Sequence, residues 1–170
     1  MVEFLNPEKI LEKLELNKEM IAADFGCGSG GWAIPLAKRV KWVYAIDLLE
    51  EPLSALRSKM KMEKLFNIDP LRANVEEKTT LLSESCDLVL MTNLLFQVEN
   101  LEKVFKEAKR VLKKGGKILV VDWKKDNPLT KEIEWVDFEK VKKIAKELGF
   151  ELKEEFEAGT FHYSLIFVKP

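Results

Sequence analysis

Short apolar runs alternate along this chain with longer stretches in which apolar residues return every three or four positions. Runs of the first kind read as strands buried on both faces, and stretches of the second kind as helices with one apolar side. Met20-Ile21-Ala22-Ala23 predicts a first strand; Trp42 to Asp47, Asn67 to Ala73, Asp87 to Asn93 and Lys117 to Asp122 predict four more. Pro70 has no N–H to give to a ladder, which places the third strand near a sheet edge. Asn6-Pro7-Glu8 opens a leading helix, with Asn6 as cap and Pro7 at the first position, and sets Ile10, Leu11 and Leu14 on one face. Further helices are expected over 30–39, from about Glu51 (Leu53, Leu56, Met60), and from Asn100 (Leu101, Val104, Phe105, Ala108, Val111, Leu112), the last closed by Gly115-Gly116. Another carries Val141, Ile144, Ala145 and Leu148 and stops at Gly149.

The pattern then changes. Phe150 to Glu157 and Phe161 to Val168 are strand-like runs joined by Ala158-Gly159-Thr160, a link too short for a parallel crossover, so they form a hairpin. The expectation is an α/β domain over residues 1–170, with a seven-stranded, mostly parallel sheet, helices on both faces and an antiparallel C-terminal hairpin strand. No repeat, low-complexity segment or linker divides it.

Composition adds exclusions. No run approaches the roughly 18 to 20 apolar residues of a membrane span, and the start, Met1 to Pro7, lacks a basic segment followed by an apolar one, so a cytoplasmic protein is expected. Cys27 and Cys86 stand alone and far apart, which indicates neither a disulfide framework nor a metal site. The 28 basic and 29 acidic residues are interspersed and leave a net charge of −1, which offers no bulk attraction for nucleic acid or anionic lipid. The charges are mainly Lys and Glu, a bias that hints at a heat-adapted source.

The chemistry gathers around Asp24-Phe25-Gly26-Cys27-Gly28-Ser29-Gly30-Gly31, which sits between a strand and a helix. A glycine turn at such a junction lets backbone approach a ligand closely, and marks a nucleotide site. Glycines 26, 28 and 31 fit the dinucleotide spacing, whereas 26, 28 and 30 fit a tighter one, so the glycines alone do not choose. Asp24 does: a carboxylate there repels a pyrophosphate and suits a cationic ligand. Asp47 ends the second strand about 20 residues after the first glycine, where an acid meets the hydroxyls of a ribose.

Asp24-x-Gly26-x-Gly28-x-Gly30 resembles the first motif of the class I S-adenosylmethionine-dependent methyltransferases. Glu107 to Gly116 is similar to the E-x-x-R-V-L-K-x-G-G before that family's fifth strand, and Cys86 to Leu90 to its fourth strand. The hairpin matches the family's reversed last strand, and the likeness extends to the branch of ubiquinone- and menaquinone-biosynthesis enzymes, including compact proteins with a late His-Tyr, here His162-Tyr163. The resemblance implies a Rossmann-like fold, S-adenosylmethionine as cofactor and S-adenosylhomocysteine as product. It sets Gly26, Gly28 and Gly30 against the methionine part, Asp24 near its amino group, Asp47 on the ribose and Leu48 beside the adenine. Asn74 stands where the family often has Asp and still offers a carbonyl acceptor to the adenine amino group. Asn93 completes the cofactor set.

The acceptor is expected beyond the carboxyl ends of the parallel strands. That edge collects Asn93, Phe96 and Gln97 after the fourth strand, Asp122, Trp123 and Lys124 after the fifth, and His162 and Tyr163 at the start of the reversed strand. His162, the only histidine, has an ordinary pKa near 6.5 that suits a base, if the in-line displacement needs one. Asn93-Leu94-Leu95-Phe96 lacks both prolines of the N-P-P-Y/F motif of amino-group methyltransferases, so that likeness is set aside. Trp32, Trp135 and Phe138 read as core or as stacking surface. The loop Lys124 to Glu134 is a candidate lid, with Phe4-Leu5 as a second. Insertions that would build a large acceptor pocket are nearly absent, so the acceptor is small, shared with another subunit, or presented on a larger partner. A small molecule is the leading choice. The alternatives are methylation of RNA or protein, signalled by Lys59, Lys61 and Lys64, and a cofactor-binding subunit without activity. No metal is expected.

Overall fold

The computed structural model describes residues 1–125, 127–129, 132 and 134–170. Asn6 caps α1 (Pro7–Leu11) by accepting the Lys9 N–H, as its position before Pro7 predicts. There follow β1 (Ile21–Phe25), α2 (Ala33–Ala37), β2 (Trp42–Asp47), α3 (Glu50–Met62), β3 (Ile68–Arg72) and β4 (Cys86–Thr92). The chain ends with α4 (Leu101–Val111), β5 (Leu112–Trp123), α5 (Phe138–Glu147), β6 (Glu151–Glu157) and β7 (His162–Val168). One seven-stranded sheet runs β3-β2-β1-β4-β5-β7-β6, with β3 and its Pro70 at an edge. Only β7 runs against its neighbours, pairing antiparallel with β5 and β6.

Apolar residues cover both faces. Phe105, Ala108 and Val111 of α4 and Val141 and Ala145 of α5 pack on one side with Phe25, Met91, Leu165 and Phe167. Ile10, Leu11 and Leu14, with Trp32, Leu36, Leu53 and Leu56, close the other. Trp32 is thereby a core residue and not a stacking surface. No described helix is long and apolar enough to cross a membrane.

Two boundaries differ from the pattern. Regular helix after the glycine turn covers only Ala33–Ala37, although the first helical bond already runs from Ile34 N–H to the Gly30 carbonyl, and a tighter bond from Arg39 N–H to the Leu36 carbonyl closes it. Gly115-Gly116 does not cap α4: Leu112 is already extended, and the strand begins there. Gly115 instead takes φ +78 and donates its N–H to the carbonyl of Lys169 at 2.7 Å. A β-carbon on Gly116 would lie 2.9 Å from the Lys113 carbonyl oxygen, so Gly116 serves a tight passage, while Gly115 has open space around it and serves the left-handed backbone.

Candidate active site

The glycine turn is bolted to the end of β2. Gly26 and Cys27 donate to the Ile46 carbonyl, both at 2.8 Å, and Gly28 N–H donates to Asp47 Oδ2 at 2.9 Å. Asp47 Oδ1 accepts the Leu49 N–H at 3.0 Å, so this carboxylate shapes the turn and the entry to α3 while keeping lone pairs for a ligand. Gly28 takes φ +54, and a β-carbon there would meet nothing within 4 Å, so a side chain would project into open space. Gly26 and Gly28 line a cleft of about 350 Å³ with Ile46, Asp47, Leu48 and Asn74.

Asp24, near the end of β1 and just before this turn, has no solvent exposure and does not itself line the cleft, and among the described residues neither of its carboxylate oxygens has a hydrogen-bond partner. Burial, and then the charge of Asp47, push its pKa up to about 7. An unpaired buried carboxylate is costly, and a cationic ligand placed over it offsets that cost. The donor set therefore fits S-adenosylmethionine, which carries an amino group, a sulfonium and a ribose, and fits a pyrophosphate poorly. Gly30 does not line the cleft. A β-carbon there would lie 2.5 Å from Leu56 Cδ1, so its absence serves the packing of α3.

Leu49, Pro52, Val75, Glu76, Leu94 and Val98 also line the cleft, residues that the sequence did not single out. Their position just beyond the carboxyl ends of β2, β3 and β4 was the available signal. Asn74 Oδ1 accepts the Glu76 N–H at 2.9 Å, which holds the β3–β4 connection against the opening.

The residues that the sequence places on the acceptor side fall into two groups. Trp123 and His162 are directly paired across β5 and β7, their rings 4.0 Å apart, and His162 Nε2 lies 3.0 Å from Asn93 Oδ1. Gln97 Nε2 donates to the Asn93 carbonyl at 2.8 Å, and Gln97 also lines the cleft. Phe96 and Tyr163 stand apart from these. Phe96 lines a cavity of about 650 Å³ with Leu95, Trp135 and Val136. Tyr163 donates to the Val136 carbonyl at 3.3 Å and lines a neighbouring cavity of about 630 Å³ with Trp135 and Phe138. His162 departs from the expected pKa near 6.5: burial, then the Lys124 charge, lower it to about 4, so the ring is neutral near pH 7.

Asp126, Thr130, Lys131 and Ile133 lie outside the described residues, and with them much of the loop read as a lid. The second lid candidate is docked, Glu3 N–H donating to Thr160 Oγ1 at 2.8 Å and Phe4 packing near Phe161. The cysteines are free and buried. Among the described residues no group of acids, histidines and cysteines could hold a metal ion.

Comparisons with known proteins agree with this geometry. Residues 23–120 match the family described as a methyltransferase domain. A probable cobalt-precorrin-6B C(15)-methyltransferase (decarboxylating) of Methanocaldococcus jannaschii is 37% identical over 65 residues, 38% of this chain and 36% of that protein. Sterol 4-C-methyltransferase strm-1 of Caenorhabditis elegans is 29% identical over 133 residues, 72% of this chain and 37% of the relative. The chain thus spans about a third of the length of these curated relatives. The crystal structure of a SAM dependent methyltransferase from Aquifex aeolicus superposes with a TM-score of 0.86 at 26% identity, covering 96% of this chain and 89% of that one. More than half of the chain matches the family and nearly all of it shares the fold, so the protein belongs to the methyltransferase-domain family, the class I S-adenosylmethionine-dependent methyltransferases.

Proposed function

We propose that the protein transfers the methyl group of S-adenosylmethionine to a small-molecule acceptor. The observation that carries the cofactor half is Asp24, a buried carboxylate without a donor among the described residues, two positions before the glycine turn whose Gly26 and Gly28 line a cleft. In this reading Asp24 receives the amino group, Gly26 and Gly28 leave room for the methionine part, and Asp47 accepts from the ribose hydroxyls. Leu48, with Ile46 and Val75, flanks the adenine, and Asn74 accepts from its amino group. When bound, the cofactor supplies a methyl group already activated on a sulfonium, so positioning and exclusion of water carry most of the work.

On the acceptor side, Asn93 and Gln97 border the cofactor, and Trp123 and His162 face the incoming molecule. A ring with a pKa near 4 is too weak a base to ionise a neutral acceptor before attack. It suffices to take the proton of an acceptor that turns strongly acidic as the methyl bond forms. Phe96 and Trp135 offer apolar contact for the remainder of a small molecule, a reading that fits the two relatives, named for a precorrin and a sterol. Buried free thiols fit a reducing, cytoplasmic setting.

The test is calorimetric titration with S-adenosylmethionine, S-adenosylhomocysteine and NAD, repeated with Asp47→Ala, followed by label transfer to acceptor panels. Binding of the two sulfur ligands alone, weakened in the variant, and labelling of a small molecule are expected. Labelling confined to RNA or protein would overturn the acceptor class. Binding of NAD alone would overturn the cofactor.

A further inference from the structure

The turn after β4 serves both halves of the site. On one side Leu94 reaches over the glycine turn, so close that a β-carbon on Gly26 would lie 2.7 Å from its Cδ1, and Leu94 and Gln97 line the cofactor cleft. On the other side Asn93 meets the ring of His162. Asn93 itself sits in the left-handed region, φ +49, a conformation that a surrounding structure must impose. Its N–H is tied to the Val121 carbonyl at 2.8 Å, which fixes the start of the turn but not its course.

What fixes the course is Asp122. This carboxylate, wholly buried at the end of β5, accepts the Leu95 N–H at 2.9 Å through Oδ2 and the Trp123 N–H at 2.8 Å through Oδ1. The Leu94 amide faces it as well. Among the described residues no Lys or Arg lies in ion-pair contact with it, so backbone amides are its solvation. A carboxylate tolerated only because amides surround it holds those amides in place in return. One bonded amide belongs to the turn. The other belongs to Trp123, whose ring packs on His162.

We propose that Asp122 is a positioning residue that couples the two halves of the site: by holding the turn it sets Leu94 against the cofactor cleft and Asn93 against His162. The consequence for His162 is specific. An amide oxygen can only accept, so Asn93 Oδ1 selects the tautomer with the proton on Nε2 and leaves the Nδ1 lone pair free. Only the identity of the cleft's ligand rests on the methyl-transfer reading; the imidazole geometry does not.

Because His162 is the only histidine, nitrogen-15 spectra of the labelled protein contain a single imidazole, and its shifts report the tautomer. The wild type is expected to show the Nε2–H form at neutral pH. Asp122→Ala should move the shifts toward the mixed pattern of Asn93→Gly, which keeps the left-handed backbone, and should weaken S-adenosylhomocysteine several-fold. Asp122→Asn, which preserves volume and keeps one acceptor oxygen, should shift them part of the way and serves if the alanine variant does not fold. Folded variants with wild-type imidazole shifts and affinity would overturn the proposal and leave Asp122 a structural cap. If the wild type itself binds no S-adenosylhomocysteine, the cofactor reading fails while the imidazole shifts still decide this one.

Discussion

His162 and Asn93, 69 residues apart in the chain, meet through Nε2 and Oδ1 at 3.0 Å. The contact joins the end of β4 to the start of β7 across β5, and it is the ring's one polar tether among the described residues. His162→Ala and Asn93→Gly should each lower turnover at least about tenfold, equivalent to ~1.4 kcal/mol of transition-state stabilisation. S-adenosylhomocysteine affinity should change much less for His162→Ala. Label-transfer rates beside calorimetric titrations make the comparison, and unchanged turnover would remove the pair from the chemistry.

With Asp24 as the residue that receives the cofactor's amino group, stability and cofactor binding should have opposite pH dependences. Its folded pKa of about 7 lies above the ordinary 3.8, so the native state holds the proton more tightly than the unfolded chain. The stability it contributes is complete below about 4 and is lost as pH rises through 7. Binding a cation favours the ionised form, so affinity for S-adenosylmethionine should climb as pH rises toward 7 and then level, with protons released on binding below that point. Asp24→Asn should raise the melting temperature of the free protein at pH 8 and weaken cofactor binding. Calorimetry in buffers of different ionisation enthalpy, with thermal melts across pH, tests both signs.

Gly28 and Gly30 differ in what an added methyl group would meet. Alanine at either site incurs roughly 1–2 kcal/mol of left-handed strain, but at Gly28 the methyl enters open cleft while at Gly30 it overlaps Leu56. Gly28→Ala should therefore weaken S-adenosylhomocysteine more than it lowers the melting temperature. Gly30→Ala should do the reverse, losing a further ~1–3 kcal/mol of stability to overpacking. Paired melts and titrations separate the two.

Glu107 ties α4 to the loop before β4. Burial works to raise its pKa, yet hydrogen bonds from Arg110 and Thr79, with the arginine charge, outweigh it and the net shift is downward. It accepts from Thr79 N–H at 2.8 Å and from Arg110 Nε at 2.8 Å. This contribution is present above the ordinary carboxylate range and is lost as pH falls below it. Arg110→Ala should cost about 2 kcal/mol by leaving a buried acceptor short of its charged donor, and should flatten the acid limb of a stability–pH curve.

Much of the frame is legible along the chain because the signals are local. A short apolar run or a period of three and a half depends on neighbours only, which is why all seven strands and the five main helices are foreseen, and Pro70 marks an edge strand by its missing donor alone. The end of α4 is misread for the same reason. Two glycines after a helix look like a cap, but a register shift between Cys86 and Leu88 against β5 and a bond to Lys169 claim them, and both partners are remote.

The site divides along the same line. Sequence alone determined the glycine turn, the acids Asp24 and Asp47 and which residues stand at the carboxyl ends of the parallel strands, since these follow from covalent order and the sense of each strand. Tertiary structure alone decided that Asn93 rather than solvent meets His162, that Asp122 turns inward to accept the Leu95 amide of the turn after β4, and that Gly30 packs against Leu56. It also decided that His162 titrates near 4 and Asp24 near 7. Burial and cross-strand register set these properties, and both exist only once distant segments have packed.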